Sequence, residues 1–386
     1  MKNLFRLTES IKLSRDFKIL CLYQTIVALA DGMVGLFLPI FLFERFHQSI
    51  RLVIIFYAFG YLLYAFLVPF GAILMNKIGL EKSILLGRFF ILPFYVSLYF
   101  LKTNPLLFAI FASLFLLLFR LFYWVPYHAD FISFTEGKYR GRQMAYLAVL
   151  GYIVGVGAPL LAGFLLSGFS FEFVFSLVII IMAISLIPLK KINDTRAKFE
   201  FSYCQTFKEL FKKQNRQSAL AYLADGGQNM IGVVVWPLFI YQILEKQYLA
   251  MGAIAALITI GTILFQLLIG SYTDKYSKKK LLKIGSFFYA LGWLAKSLIE
   301  TVFQVFIIGT FHSFVSIILR TPLDALTYER ISCRDSYVEE STVLREISIN
   351  TGYFLMGMIL LFLVGLVGLR SAFLIAAFCS LLVNKV

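Results

Sequence analysis

Two aspartates sit where a charge is expensive. Asp31, in Leu29-Ala30-Asp31-Gly32, is the only formal charge between Lys18 and Glu44, and the same tetrapeptide returns as Leu223-Ala224-Asp225-Gly226 half a chain later. At about 1.5 Å of rise per residue, Asp31 stands roughly 20 Å beyond Lys18, near the midplane of a bilayer. A charge there costs roughly 3 kcal/mol or more, so a carboxylate kept in such a place reads as a proton or substrate site. Arg120 lies ten residues before Asp130, about 15 Å from the polar boundary and close in depth to Asp31. An arginine in hydrocarbon needs a carboxylate or carbonyls beside it.

Asp225 is followed one turn on by Gln228 and Asn229. It could be a second proton carrier, a substrate contact, or a cap for an interrupted helix. Gly226-Gly227 and Gly32 favour local helix breaking, where freed backbone groups can meet a solute. His312 falls mid-span and either titrates near neutrality or is a lone hydrogen-bonded histidine, the blander reading being favoured. Lys296 with Glu300, and Arg320 with Asp324, have the i,i+4 spacing of local pairs or snorkelling side chains. Arg345 and Glu346 read as interfacial. Gly151-x-x-x-Gly155 permits close helix contact.

The elements that must hold these residues are membrane helices. Hydrophobic residues make up 60% of the chain and charged ones 15%, against about half and a quarter in a soluble domain. The apolar surplus is gathered into runs of span length near 18–43, 51–75, 83–101, 105–127, 143–167, 171–189, 217–243, 249–272, 281–300, 302–323, 345–366 and 368–386. They are too long and too evenly apolar for barrel strands. The expectation is an all-α integral membrane protein with twelve transmembrane helices. The last run is short and ends at Asn384-Lys385-Val386.

The net charge of +15 does not call for a nucleic acid. With the N-terminus in the cytosol, 27 of the 36 Lys and Arg fall on the inner side and five on the outer, with four inside spans. Such a bias sets both termini in the cytosol of a multi-pass protein of the inner or plasma membrane. Residues 1–17 are charged throughout and look like a short interfacial helix with Leu4, Leu7 and Ile11 on one side, rather than a signal peptide. The four cysteines have no metal spacing and no expected disulfide.

The basic stretch 190–216 divides the chain into an N-terminal unit, 1–189, and a C-terminal unit, 217–386. Landmarks recur across it in the same order: Asn76-Lys77 with Asp274-Lys275, Pro126 with Pro322, and Gly151-Tyr152 with Gly352-Tyr353. Matches in register near half-length argue for duplication, with two pseudo-symmetric six-helix bundles of parallel orientation.

Here the sequence resembles a known family. Gly270-Ser271-Tyr272-Thr273-Asp274-Lys275-Tyr276-Ser277-Lys278-Lys279 is similar to the loop signature of the major facilitator superfamily (MFS), G-x-L-x-D-R/K-x-G-R/K-R/K. Its first-half copy keeps Lys77 and the central Gly79 but has Asn76 in place of the acid. The loop from Asp130 through Arg140-Gly141-Arg142 also resembles that family's pattern. The resemblance implies the MFS fold and gates at Asn76, Lys77, Gly79, Gly270, Asp274, Lys275, Asp130, Arg140 and Arg142. An Asp274 carboxylate can accept from the N-terminal amides of a neighbouring helix and latch the cytosolic side, with the copy at Asn76 the weaker latch. Arg120 occupies the position of the family's fourth-span arginine, with Tyr123 and Trp124 where Gln and Gly usually follow. Because spans one and four line the cavity in that family, Asp31 is its expected partner. Protonating Asp31 would break the pair and couple a proton gradient; a static pair that only fixes packing is the alternative. Ala158-Pro159-Leu160-Leu161-Ala162-Gly163 is similar to the antiporter signature G-P-x-x-G-G, which tilts the direction toward export.

Enzyme readings fail. There is no H-E-x-x-H, no phosphate-binding G-x-x-x-x-G-K-S/T, and no clustered Cys and His. The expected function is alternating-access secondary transport: proton antiport exporting a small amphipathic solute, with symport, uniport, or a non-transporting sensor or assembly factor as alternatives. The expected partners are that solute, protons and the lipid bilayer, for a monomer without cofactor, metal or nucleic acid.

Overall fold

The computed structural model describes residues 15–134, 140–189, 198–273, 277–332, 338–364 and 368–385. In chain order the helices are α1 (Arg15–Gly35), α2 (Leu38–Arg45), α3 (Ile50–Ile78), α4 (Leu80–Tyr99), α5 (Pro105–Phe134), α6 (Arg140–Gly168) and α7 (Phe171–Leu189). A short α8 (Tyr203–Leu210) follows. Then come α9 (Lys213–Met230), α10 (Trp236–Ile243), α11 (Tyr248–Thr273), α12 (Lys278–Ser297), α13 (Val302–Ser332), α14 (Val338–Leu363) and α15 (Arg370–Leu382). No strand occurs among the described residues, as long apolar runs require.

Among the described residues, nine helical runs, counting α1 with α2 as one, are long and apolar enough to cross a membrane. The other three expected spans coincide with α9–α10, α12 and α15. α9 carries Asp225 among other polar residues, α12 opens on Lys278-Lys279-Lys280, and α15 has 13 residues. Large side chains such as Phe59, Phe66, Phe164, Phe303 and Phe362 are exposed on the helix exteriors, as expected of surface that meets lipid rather than water.

Helix packing repeats. α1 packs on α6 and α7, α3 on α5, and α4 on α5 and α7. Eight helices later the pattern returns: α9 on α14 and α15, α11 on α13, and α12 on α13 and α15. Two more pairs, α3 with α14 and α6 with α11, join the groups and are exchanged by the same shift.

The chain breaks where its proline chemistry allows. α1 stops at Gly35, and Pro39 sits in the first turn of α2, where a missing N–H leaves no gap in the ladder. A π turn, Ile231–Val235, joins α9 to α10 just before Pro237. The break expected at Gly32 is absent, because Gly32 lies inside α1. A Cβ there would press on the Ala158 Cβ at 2.8 Å, so its small size serves contact with α6. Gly226 and Gly227 likewise lie inside α9. A Cβ at Gly226 would fall on the Ile349 carbonyl of α14, so this glycine is set by packing and not by a helix end.

Turns gather at two ends. Arg45 pairs with Glu172 at 2.6 Å, and Arg370 donates to the Ile299 carbonyl at 3.1 Å. These contacts define the Ser49 end. The opposite end holds the tight turn between α3 and α4, where Gly79 adopts φ 93°, a conformation that favours glycine.

Candidate functional site

The two copies of the aspartate motif fold into opposite environments. Asp225 is 2% exposed. Gln228 Nε2 donates to its Oδ1 at 2.8 Å and Asn229 Nδ2 to its Oδ2 at 3.2 Å. From α13, Arg320 donates Nη1 to Oδ2 and Nη2 to Oδ1, both at 3.2 Å, and Nη2 also reaches Asn229 Oδ1 at 2.6 Å. Gln228 accepts in turn from the Ser380 hydroxyl of α15. A bidentate fork and two amides occupy the lone pairs of the carboxylate. Asp225 caps no interrupted helix; it ties α9 to α13. Arg320 therefore departs from its expected pairing with Asp324, which lies 3.8 Å from Arg345 instead.

Asp31 accepts no hydrogen bond and forms no ion pair within 4 Å among the described residues. Its side chain is exposed, while Arg88 and Tyr95 of α4, both buried, act on it electrostatically. Arg88 is 3% exposed and donates Nε to the Tyr23 hydroxyl at 2.7 Å. Its guanidinium lies 3.9 Å from the Tyr123 ring centroid and 5.2 Å from that of Phe119. Its Nη1 is buried without a hydrogen-bond partner. Aromatic faces return part of the desolvation cost of a cation. They leave a donor free for an anion.

The expected Asp31–Arg120 pair is not formed. Arg120 sits 4.2 Å over the Tyr61 ring, which stacks on Tyr353 of α14 at 4.0 Å. The carboxylate within electrostatic reach of Arg120 is Glu346 of α14. Glu346 is not interfacial: it is buried, and Asn350 Nδ2 donates to its Oε2 at 3.3 Å. Arg88 is the functional candidate that the sequence reading passed over. The available signal was its position as one of four cations inside spans.

His312 is 3% exposed and lies between rings, 4.0 Å from Tyr289 and 4.4 Å from Trp293. Neither ring nitrogen has a partner, so it is not the hydrogen-bonded histidine that was expected. Lys296 stacks on Trp236 and Trp293 and does not pair with Glu300, which lies 3.9 Å from Arg370. No group of His, Cys, Asp and Glu that could hold a metal occurs among the described residues.

The group joints fall at both ends. At the Ser49 end, Glu44 accepts from the Tyr241 hydroxyl at 2.5 Å and from the Tyr248 hydroxyl. Next to it α6 meets α11 backbone to backbone: a Cβ on Gly163 would fall 3.1 Å from the Gly252 Cα, and one on Gly252 would strike the Pro159 carbonyl. A Cβ at Gly155 would meet Thr259 at an ordinary 3.6 Å and one at Gly151 would meet open space, so neither glycine of that pair makes the expected close contact. Overpacking costs about 1–3 kcal/mol. Gly252→Val is therefore expected to hold this end apart and cut turnover about tenfold. Spin labels at Thr103 and Thr301 should report a longer distance, and an unchanged distance would remove the glycine from the closure.

Of the expected gate residues, Lys77 is exposed in the last turn of α3, and Gly270 lies in α11. Asp130 lies on α5 and Arg140 and Arg142 on α6, but their side chains, like Asp274 and Lys275 entirely, fall outside the described residues. Asn76 does something specific. Its Nδ2 donates to the Phe199 carbonyl at 2.6 Å, and its Oδ1 accepts from the Phe199 N–H at 2.9 Å. Phe199 is buried among Val68, Ala72, Val343 and Ile347, and Glu340 of α14 accepts from the Glu200 N–H at 2.6 Å. The segment before α8 is thus clamped from both groups of helices. Only an amide serves both Phe199 bonds; a carboxylate would lose the donor and face the carbonyl. Asn76→Asp is expected to cost about 1–3 kcal/mol at this clamp and to speed proteolysis within 198–216. Unchanged cleavage would show that the clamp contributes nothing.

A family model described as the Major Facilitator Superfamily matches residues 20–216 and 218–383. No curated protein matches the chain in sequence. Among solved structures, the E. coli fucose:proton symporter FucP is similar, with a TM-score of 0.65 at 13% identity over 95% of this chain and 96% of that one.

Proposed function

This chain belongs to the major facilitator superfamily of secondary transporters, and from that premise we propose that it is a proton-coupled carrier in which Asp31 takes and releases the proton. One observation carries the reading. Identical tetrapeptides place one aspartate in a saturated cage and leave the other without a hydrogen-bond partner, in reach of a buried arginine that has a free donor. Protonating Asp31 removes the negative charge facing Arg88, frees that cation for solute, and biases α1 against α4 and α6. A side chain that must change charge during a cycle cannot be held by four fixed donors.

The self-similar packing supports two six-helix bundles, near 1–189 and 217–386, joined by the linker 190–216. It also supports twelve crossings in all, with α9–α10, α12 and α15 completing the nine apolar runs. The Lys and Arg bias supports both termini in the cytosol of a cell membrane, with the Gly79 end inward. With Glu44 bound to Tyr241 and Tyr248, the opposite, outer end is shut. The solute is a small amphipathic organic molecule, and the α6 signature, whose Gly163 packs against the backbone of α11, favours export by antiport. The similar fucose carrier is described as a symporter, so direction is the finer part of the proposal.

The test is reconstitution into liposomes under an imposed pH gradient with a panel of amphipathic solutes. Solute movement that accelerates with the gradient, with protons moving the opposite way, supports antiport. Protons moving with the solute would assign symport, and solute flux indifferent to the gradient would remove the proton from the cycle.

A further inference from the structure

Lys296 is a buried cation without an anion. It lies in the last turn of α12, 5% exposed, with its ammonium 4.0 Å from the Trp236 ring centroid and 4.2 Å from that of Trp293. It makes no hydrogen bond and no ion pair among the described residues. The carboxylate four residues on, Glu300, is turned outward to Arg370. Two indole faces stabilise the charge in part but use none of the three ammonium donors.

Other polar atoms beside it are also idle. Trp293 Nε1 and both ring nitrogens of His312 are buried without partners. His312 meets the Trp293 ring edge to face and lies within electrostatic reach of Lys296. Buried polar groups are ordinarily satisfied, so the idle Trp293 N–H and the one N–H of a neutral His312, beside an unpaired ammonium, mark a place for an acceptor. The surrounding surface is aromatic: Phe373 packs on Trp293 at 5.9 Å, on Trp236 at 6.1 Å and on Phe239 at 5.2 Å.

We propose that Lys296, Trp236 and Trp293 form a binding site for the carboxylate of an apolar organic acid. One ammonium balances one negative charge, and the ring walls suit an apolar body. A doubly charged phosphate would ask for further cations or an arginine fork, which the site lacks. The site is separate from Asp31, and it stands or falls by binding, whether or not protons are coupled to transport.

Two of the chain's three tryptophans form the cage, so intrinsic fluorescence reports on it. The intact protein in detergent is titrated with benzoate and octanoate, with the matching amides, and with chloride. Expected is a saturable fluorescence change with the carboxylates only, weakened by about tenfold or more in Lys296→Met and retained in Lys296→Arg. Methionine keeps the side-chain length and removes an unpaired buried charge, so this variant should fold; its melting temperature is measured alongside. Equal titration by the amides, or an unaltered titration in Lys296→Met, would overturn the proposal. Saturation by chloride alone would overturn the organic acid and leave a halide site.

Discussion

Replacing Asp31 by asparagine is expected to abolish gradient-driven solute accumulation while solute exchange at equal pH continues. Asparagine has nearly the shape of a protonated aspartic acid but cannot release a proton. A carrier fixed in the neutral form still binds and rocks, and it no longer draws on the proton gradient. The fold should tolerate the change, because Asp31 accepts no hydrogen bond that the substitution would break and its side chain is exposed. Arg88 loses a facing charge but keeps Tyr23 and the Tyr123 face. The observable is a split: accumulation in liposomes falls to the level without a gradient, whereas counterflow and melting temperature stay near native values. Loss of both would make Asp31 a structural or solute-binding group.

The same substitution at the sister position should do the reverse. Asp225→Asn is expected to destabilise the protein, because it leaves the Arg320 fork facing an amide that offers one acceptor and two competing donors. Breaking a buried ion pair from one side costs about 3–5 kcal/mol. Arg320 is partly exposed, 36% by side chain, which places the expected loss at the lower end of that range. Arg320→Met should cost a similar amount by stranding Asp225 among Gln228 and Asn229. The double variant Asp225→Asn with Arg320→Met should recover part of the loss, since no charge is then left unpaired. Thermal unfolding in detergent measures all three. Additive losses in the double variant would mean that the two side chains are not coupled.

The contrast between the aspartates also marks what the sequence could reveal. Both stood out because a charge in an apolar run is costly wherever its helix turns. The repeat was legible for a related reason, since duplicated motifs keep their order whatever their rotation. Partner choice was not legible. Arg120 matches Asp31 in depth, but depth says nothing of direction around the helix axis, and Arg120 turns to Tyr61 and α14 while Arg88 turns to α1. Spacing misled at Arg320 and Lys296, where an acid four residues on looked like a local partner and proved weaker than contacts across helices. Glycines in an apolar run suggest helix breaks, yet Gly32 and Gly226 are required by a neighbouring helix that no local pattern announces. Asn76 could be seen to depart from its family's acid. Why it departs became visible only once Phe199, far along the chain, was seen bound by both ends of its amide.

The measurement that bears most directly on the proton site needs no identified solute. Infrared difference spectra of the reconstituted protein, recorded between acid and alkaline pH, show the carbonyl stretch of any carboxyl group that takes up a proton. A carboxyl band in the native protein that disappears in Asp31→Asn and persists in Asp225→Asn is the expected result. A band that survives in Asp31→Asn, or one that vanishes only in Asp225→Asn, would place the titrating carboxylate elsewhere and contradict the assignment of Asp31.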